Sequence, residues 1–69
     1  YKKVSIELKD NYNLEDLKSI LKEEGETQIN ILVKDKNKTL AFQLERTRKF
    51  DFNIFNDIKS KQYVKKISF

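Results

Sequence analysis

No cysteine occurs in this 69-residue sequence, so it forms no disulfide and offers no thiolate as nucleophile or metal ligand. No histidine occurs either, which removes the commonest general base and the commonest zinc ligand together. One glycine, Gly25, cannot build a phosphate-cradling loop, which needs several. No run approaches the roughly 18–20 apolar residues of a membrane-spanning helix, and no signal-peptide pattern precedes the first periodic segment. A cytoplasmic location is the expectation. Methionine is missing and the chain opens on Tyr1, so it reads as a piece cut from a longer polypeptide. A chain of this length buries only roughly 60% of its unfolded surface, which leaves no room for a deep cleft. The expectation is one small domain over residues 1–69 that is not itself an enzyme: no catalytic residue, cofactor, metal, small-molecule substrate or membrane.

What is present is polar but ordered. The hydrophobic fraction is 38% and the mean hydropathy −0.77, yet the apolar residues are regularly spaced, which argues against disorder. Formal net charge is +4, unevenly placed. Residues 1–45 hold eight Lys/Arg against nine Asp/Glu, whereas residues 46–69 hold seven against two. Those seven are Arg46, Arg48, Lys49, Lys59, Lys61, Lys65 and Lys66, a candidate partner-binding set for nucleic-acid phosphate or acidic protein. The plainer reading is that they keep a small domain soluble.

Val4, Ile6 and Leu8 alternate with polar residues, the period of a strand with one buried face. Asp10 to Asn13 are turn formers, and Asn13 is suited to cap a helix whose first turn carries Glu15 and Asp16. Leu14, Leu17, Ile20 and Leu21 form one helical stripe, which predicts a helix over about 14–24 with Gly25 as its left-handed C′ residue. Ile29, Ile31 and Val33, then Leu40, Phe42 and Leu44, alternate on either side of the turn formers 35–38, an antiparallel hairpin. Ala41 and Leu32 fall on its other face. Phe50 is expected inward, and Asp51 or Asn53 caps a shorter helix with Phe52, Phe55 and Ile58 on its apolar side. Tyr63 to Phe69 make a last strand. Val64, Ile67 and Phe69 are its core candidates, and strict alternation cannot place all three on one face, so a bulge or frayed end is expected. The order β-α-β-β-α-β predicts an α+β fold, the ferredoxin-like (split βαβ) antiparallel sheet with two helices on one face.

Two constellations invite a sharper reading. Glu23, Glu24 and Glu26 cluster around Gly25, but flexible carboxylates at a helix end are more often a solvated surface than a metal or acid–base site. The aromatic residues invite comparison with RNA-binding sheets of the same topology. The required basic–glycine–aromatic strand motif is absent, since the hairpin strand reads KTLAFQL and Phe42 falls in phase with Leu40 and Leu44.

With these segments in order, the chain resembles the C-terminal domain of the bacterial replicative DNA polymerase III alpha subunit. The resemblance is carried by the leucine-spaced helix 13–22 (NLEDLKSILK) and by the glycine and polar step into a strand at 25–29 (GETQI). It is carried also by the leucine–polar–basic–apolar–aspartate run 44–51 (LERTRKFD), then a short helix and final strand. It departs at Phe52, where the family often has proline, and at Lys61 and Gln62, where it often has glycine. The resemblance implies a non-catalytic interaction domain of a DNA-directed DNA polymerase whose catalytic, phosphoesterase-like and clamp-binding parts lie upstream. It implies a tau subunit of the clamp loader as partner, with Arg46, Arg48, Lys49 and Phe50 as family-pattern positions. The alternative is a small nucleic-acid-binding module using the basic C-terminal third on DNA.

Overall fold

The computed structural model describes residues 2–69. Its elements are β1 (Lys3–Leu8), α1 (Leu14–Ile20), β2 (Glu24–Asp35), β3 (Lys38–Gln43), α2 (Phe52–Lys59) and β4 (Val64–Ser68). The α+β class and the β-α-β-β-α-β order expected from the sequence are what the structure has, consistent with a ferredoxin-like arrangement. Val4, Ile6 and Leu8 of β1 and Ile29, Ile31 and Val33 of β2 are buried in one cluster with Leu17, Leu21 and Ile58 of the helices. Both helices therefore cover the same face of the sheet, and alternation sends Ser5, Glu7, Asn30 and Leu32 to the opposite, open face.

The sheet is mixed, in the order β3-β2-β1-β4. β1 and β2 lie side by side and parallel, from Lys3 opposite Gln28 to Leu8 opposite Val33, so no strand splits the first βαβ unit and the sheet is not wholly antiparallel. The physical reason lies in β2. Its inward residues are buried and its outward Gln28, Asn30 and Leu32 are half-covered, which suits a central strand with neighbours on both sides. The six residues of β3 are all exposed, which suits an edge. β3 pairs antiparallel with β2, and β4 antiparallel with β1.

Several boundaries differ from expectation. α1 has seven residues and ends at Ile20, because Leu21 turns inward and the chain enters β2 at Glu24. Gly25 has no positive φ and is not a helix cap. It is needed because the backbone of Lys49 passes so close that a Cβ on Gly25 would lie 2.5 Å from the Lys49 Cα. That approach is fixed by Lys49 N–H donating to the Glu23 carbonyl at 2.8 Å and Gly25 N–H to that of Thr47 at 3.3 Å. Arg46, at φ 63°, turns the chain into this crossing. Asn13 caps α1 as anticipated, and of the two candidates Asp51 and Asn53 it is Asp51 that caps α2; they accept from the amides of Asp16 at 3.0 Å and Ile54 at 2.9 Å. The bulge in β4 is also present: the register with β1 shifts between Glu7 and Leu8, and the extra residue lets Val64 and Ile67 both face the core.

Candidate functional site

Leu44 and Phe50 are buried, but four aromatic and aliphatic side chains expected in the core are not. Leu40 is 54% and Phe42 38% exposed: β3 is the strand farthest from β4, and the helices do not reach over it. Phe52 is 72% and Phe69 64% exposed. With Asp51 as N-cap, Phe52 becomes the first helical residue and projects beyond the sheet, while Ile54, Phe55 and Ile58 supply the buried side of α2.

Phe52 and Phe69 are not scattered surface residues. Phe52 stacks on Phe55 with ring centroids 6.4 Å apart and 18° between planes, and Phe55 meets Phe69 at 5.7 Å. Buried Phe50 lies beneath, edge-on to Phe55 at 6.5 Å and to Phe69 at 6.2 Å. Such contacts hold rings in fixed orientations, worth about 0.5–1.5 kcal/mol per pair beyond burial. Between α2 and β4, Phe55 and Phe69 line a groove of about 350 Å³ together with Val64, Ile67, Lys59, Lys65 and Lys66, and Phe52 stands beside it on Phe55. The Lys59 ammonium sits 5.5 Å from the centre of the Phe55 ring. β4 also borders this groove and is an edge strand, paired to β1 and to no other described strand, so its outer edge has no strand partner.

The seven basic residues singled out in the sequence do not form one surface. Arg48 is built into the fold: its guanidinium donates to the Leu21 carbonyl at 2.8 Å and to the Glu45 carbonyl at 3.0 Å, closing the end of α1 where a glycine cap was expected. Arg46 pairs with Glu24 at 2.7 Å, and Lys49 lies between Glu23 at 3.5 Å and Asp51 at 3.8 Å. These three stand at the crossing by Gly25. Two carboxylates of the acidic cluster, Glu23 and Glu24, are thus engaged by cations. Lys61 pairs with Asp16 at 3.2 Å. Lys65 shares Glu7 with Lys34, at 3.3 and 3.8 Å. Lys66 makes no ion pair among the described residues. The structure gathers Lys59, Lys65 and Lys66 around the aromatic groove and leaves the others elsewhere.

A tyrosine–aspartate–lysine cluster also forms, where Tyr63 donates to the Asp16 carboxylate at 2.8 Å beside Lys61. Burial, reinforced by the bond to Asp16, pushes the Tyr63 hydroxyl up to about 12. The Tyr63 hydroxyl bond, then Lys61, hold Asp16 below the ordinary carboxylate range. A base needs a tyrosine shifted the other way, so the cluster is a strut joining α1 to the start of β4. Among the described residues no group of three His, Cys, Asp or Glu side chains converges to hold a metal ion, and no helix is long and apolar enough to cross a membrane.

The exposure of Phe52 and Phe69 escapes periodicity because both sit in phase with core residues. The readable signal is position: Phe52 is the first residue of α2, and Phe69 lies one residue beyond β4. Comparison with protein-family models, with curated proteins and with solved structures gives no match.

Proposed function

We propose that this chain is a non-catalytic interaction domain, the C-terminal domain of a bacterial replicative DNA polymerase III alpha subunit, helping to tether the polymerase to the tau subunit of the clamp loader in the cytoplasm. The polymerase reading is supported by the resemblance of residues 13–22, 25–29 and 44–51. The interaction reading is carried by one observation: Phe52, Phe55 and Phe69 form an ordered, partly exposed ring cluster beside an open strand edge, rimmed by Lys59, Lys65 and Lys66. Aromatic side chains already fixed by packing lose little entropy on binding, which is why such residues dominate interface energetics. In this reading the parent protein's chemistry lies upstream and this domain contributes attachment.

Titrating the 69-residue chain with the tau C-terminal region tests it. Saturable heat and chemical-shift changes around Phe52, Phe55 and Phe69 are expected, and Phe52→Ala should weaken binding by about tenfold or more, the scale of an interface anchor. No heat and no shift at high micromolar concentration would sink the reading.

Single-stranded DNA is the second reading, favoured by the stacked Phe52–Phe55 pair next to Lys59, because bases stack on such rings. It is the weaker one. Arg46, Lys49 and Lys61 are each matched to a carboxylate, so no uninterrupted cationic track leads away from the groove as a phosphate backbone requires. An oligonucleotide titrated at two salt concentrations separates the two, since DNA binding weakens steeply with salt.

A further inference from the structure

The groove between α2 and β4 has two sides with different chemistry, and β4 runs along their boundary. On the helix side lie the rings of Phe55 and Phe69 with Val64 and Ile67. On the open-face side lie Lys66, opposite Glu7 in register, and the bulge residue Lys65, whose ammonium reaches Glu7. Among the described residues no acidic side chain lines the groove. Glu7 is shared by Lys34 and Lys65, so one carboxylate faces two ammonium groups and Lys66 besides. That end of the edge carries uncompensated positive charge.

We infer that the groove takes an extended acidic segment of a partner protein, laid along the outer edge of β4 as a fifth strand, with apolar and acidic residues in alternation. The inference rests on the interaction reading above and adds to it the chemistry of the occupant. An extended segment supplies the backbone donors and acceptors that the β4 edge presents, and its side chains alternate between the two faces of the sheet. Those pointing to the helix side meet Phe55 and Phe69, which select apolar residues. Those pointing to the open side meet Lys65 and Lys66, which select Asp or Glu. Lysines on an edge strand ordinarily repel stray strands. Here the same charges discriminate, rejecting neutral or basic strands and admitting an acidic one. Five residues in β4 set the length of the match.

The test is selection of a displayed library of random short peptides against the chain, followed by a synthetic consensus peptide. The selected sequences should alternate acidic with apolar residues, and the consensus should shift β4 amides. Methylating the peptide's backbone nitrogens along one edge should weaken binding by about tenfold or more, since several ladder hydrogen bonds are lost together. The Lys65→Glu, Lys66→Glu double variant should switch selection toward basic and apolar alternation. Helical spacing of the anchors, absence of acidic residues, indifference to methylation at either edge, or preferential and salt-sensitive occupation by an oligonucleotide would each overturn the inference. The two readings fail separately. A tau region that binds through Phe52 without an alternating acidic segment defeats this inference and keeps the tether. A consensus peptide on β4 with no binding of tau does the reverse.

Discussion

Gly25 is the residue whose role is least visible without its neighbours. A Cβ there would meet the Lys49 N and Cα at 2.5 Å and the Arg48 carbonyl carbon at 2.7 Å, all backbone atoms that cannot step aside as a side-chain tip can. Gly25→Ala should therefore destabilise by about 1–3 kcal/mol, the scale of overpacking, and should loosen the Lys49 to Glu23 hydrogen bond. Chemical denaturation with amide exchange at Lys49 checks both. Tyr63 offers a test by pH. Its folded pKa, about 12, lies above the ordinary tyrosine value of 10.0, so the stability it contributes is complete below pH 10 and drains away as pH rises toward 12, where the unfolded chain ionises first. Tyr63→Phe removes a hydrogen bond to a carboxylate and should cost about 1.5–3 kcal/mol at neutral pH. It should also remove that alkaline loss, read from denaturation midpoints between pH 9 and 12.

At the scale of elements, helix α2 separates structural from surface aromatic character within eight residues. Ile58 is fully buried, whereas Phe52 is 72% exposed. Ile58→Ala should cost about 2–5 kcal/mol, while Phe52→Ala, which loses one stacked pair, should cost only about 0.5–1.5 kcal/mol. Thermal melts of the two variants check the contrast, and a large loss from Phe52→Ala would mean that its ring holds the fold together. Periodicity foretold α2, with Asp51 as one of two candidate caps, because local hydrogen bonding decides them. It foretold the hairpin, and a bulge or frayed end in β4, because alternation has to be reconciled with burial. It could not tell Phe52 from Phe55, nor Phe69 from Ile67, because a shared phase says which way a side chain points and not whether anything lies opposite. Leu40 and Phe42 fail for the same reason: they face the helix side from a strand the helices do not cover. The end of α1 was misplaced because its last carbonyl is satisfied by Arg48, 27 residues away, and no local pattern reports that. The parallel neighbourhood of β1 and β2 is likewise a long-range choice, set by how much of β2 is covered on both faces.

Over the whole molecule, folding brings a nearly balanced first two-thirds against a basic last third. Acids from the first part, Glu7, Asp16, Glu23 and Glu24, pair with Lys65, Lys61, Lys49 and Arg46 from the second. Each exposed pair is worth only about 0–1 kcal/mol at neutral pH. Together they keep a chain with fifteen Lys and Arg from opposing itself. Acid undoes this arrangement. Protonating the eleven carboxylates leaves those fifteen cations unbalanced, and Asp16 adds a specific contribution of the same sign. Its folded pKa lies below 3.8, so the stability it provides is present above that value and is lost as pH falls through the folded value. The thermal midpoint should therefore hold steady from mildly acidic to mildly alkaline pH and drop below about pH 4. Added salt should restore part of it at pH 3 by screening the like charges, and should change little at pH 7, where opposite charges are already paired. Asp16→Asn should flatten the acid limb without abolishing it. An acid limb that ignored both salt and that substitution would show that carboxylate pairing does not organise this surface, and the basic third would then stand as an uncompensated face open to phosphate.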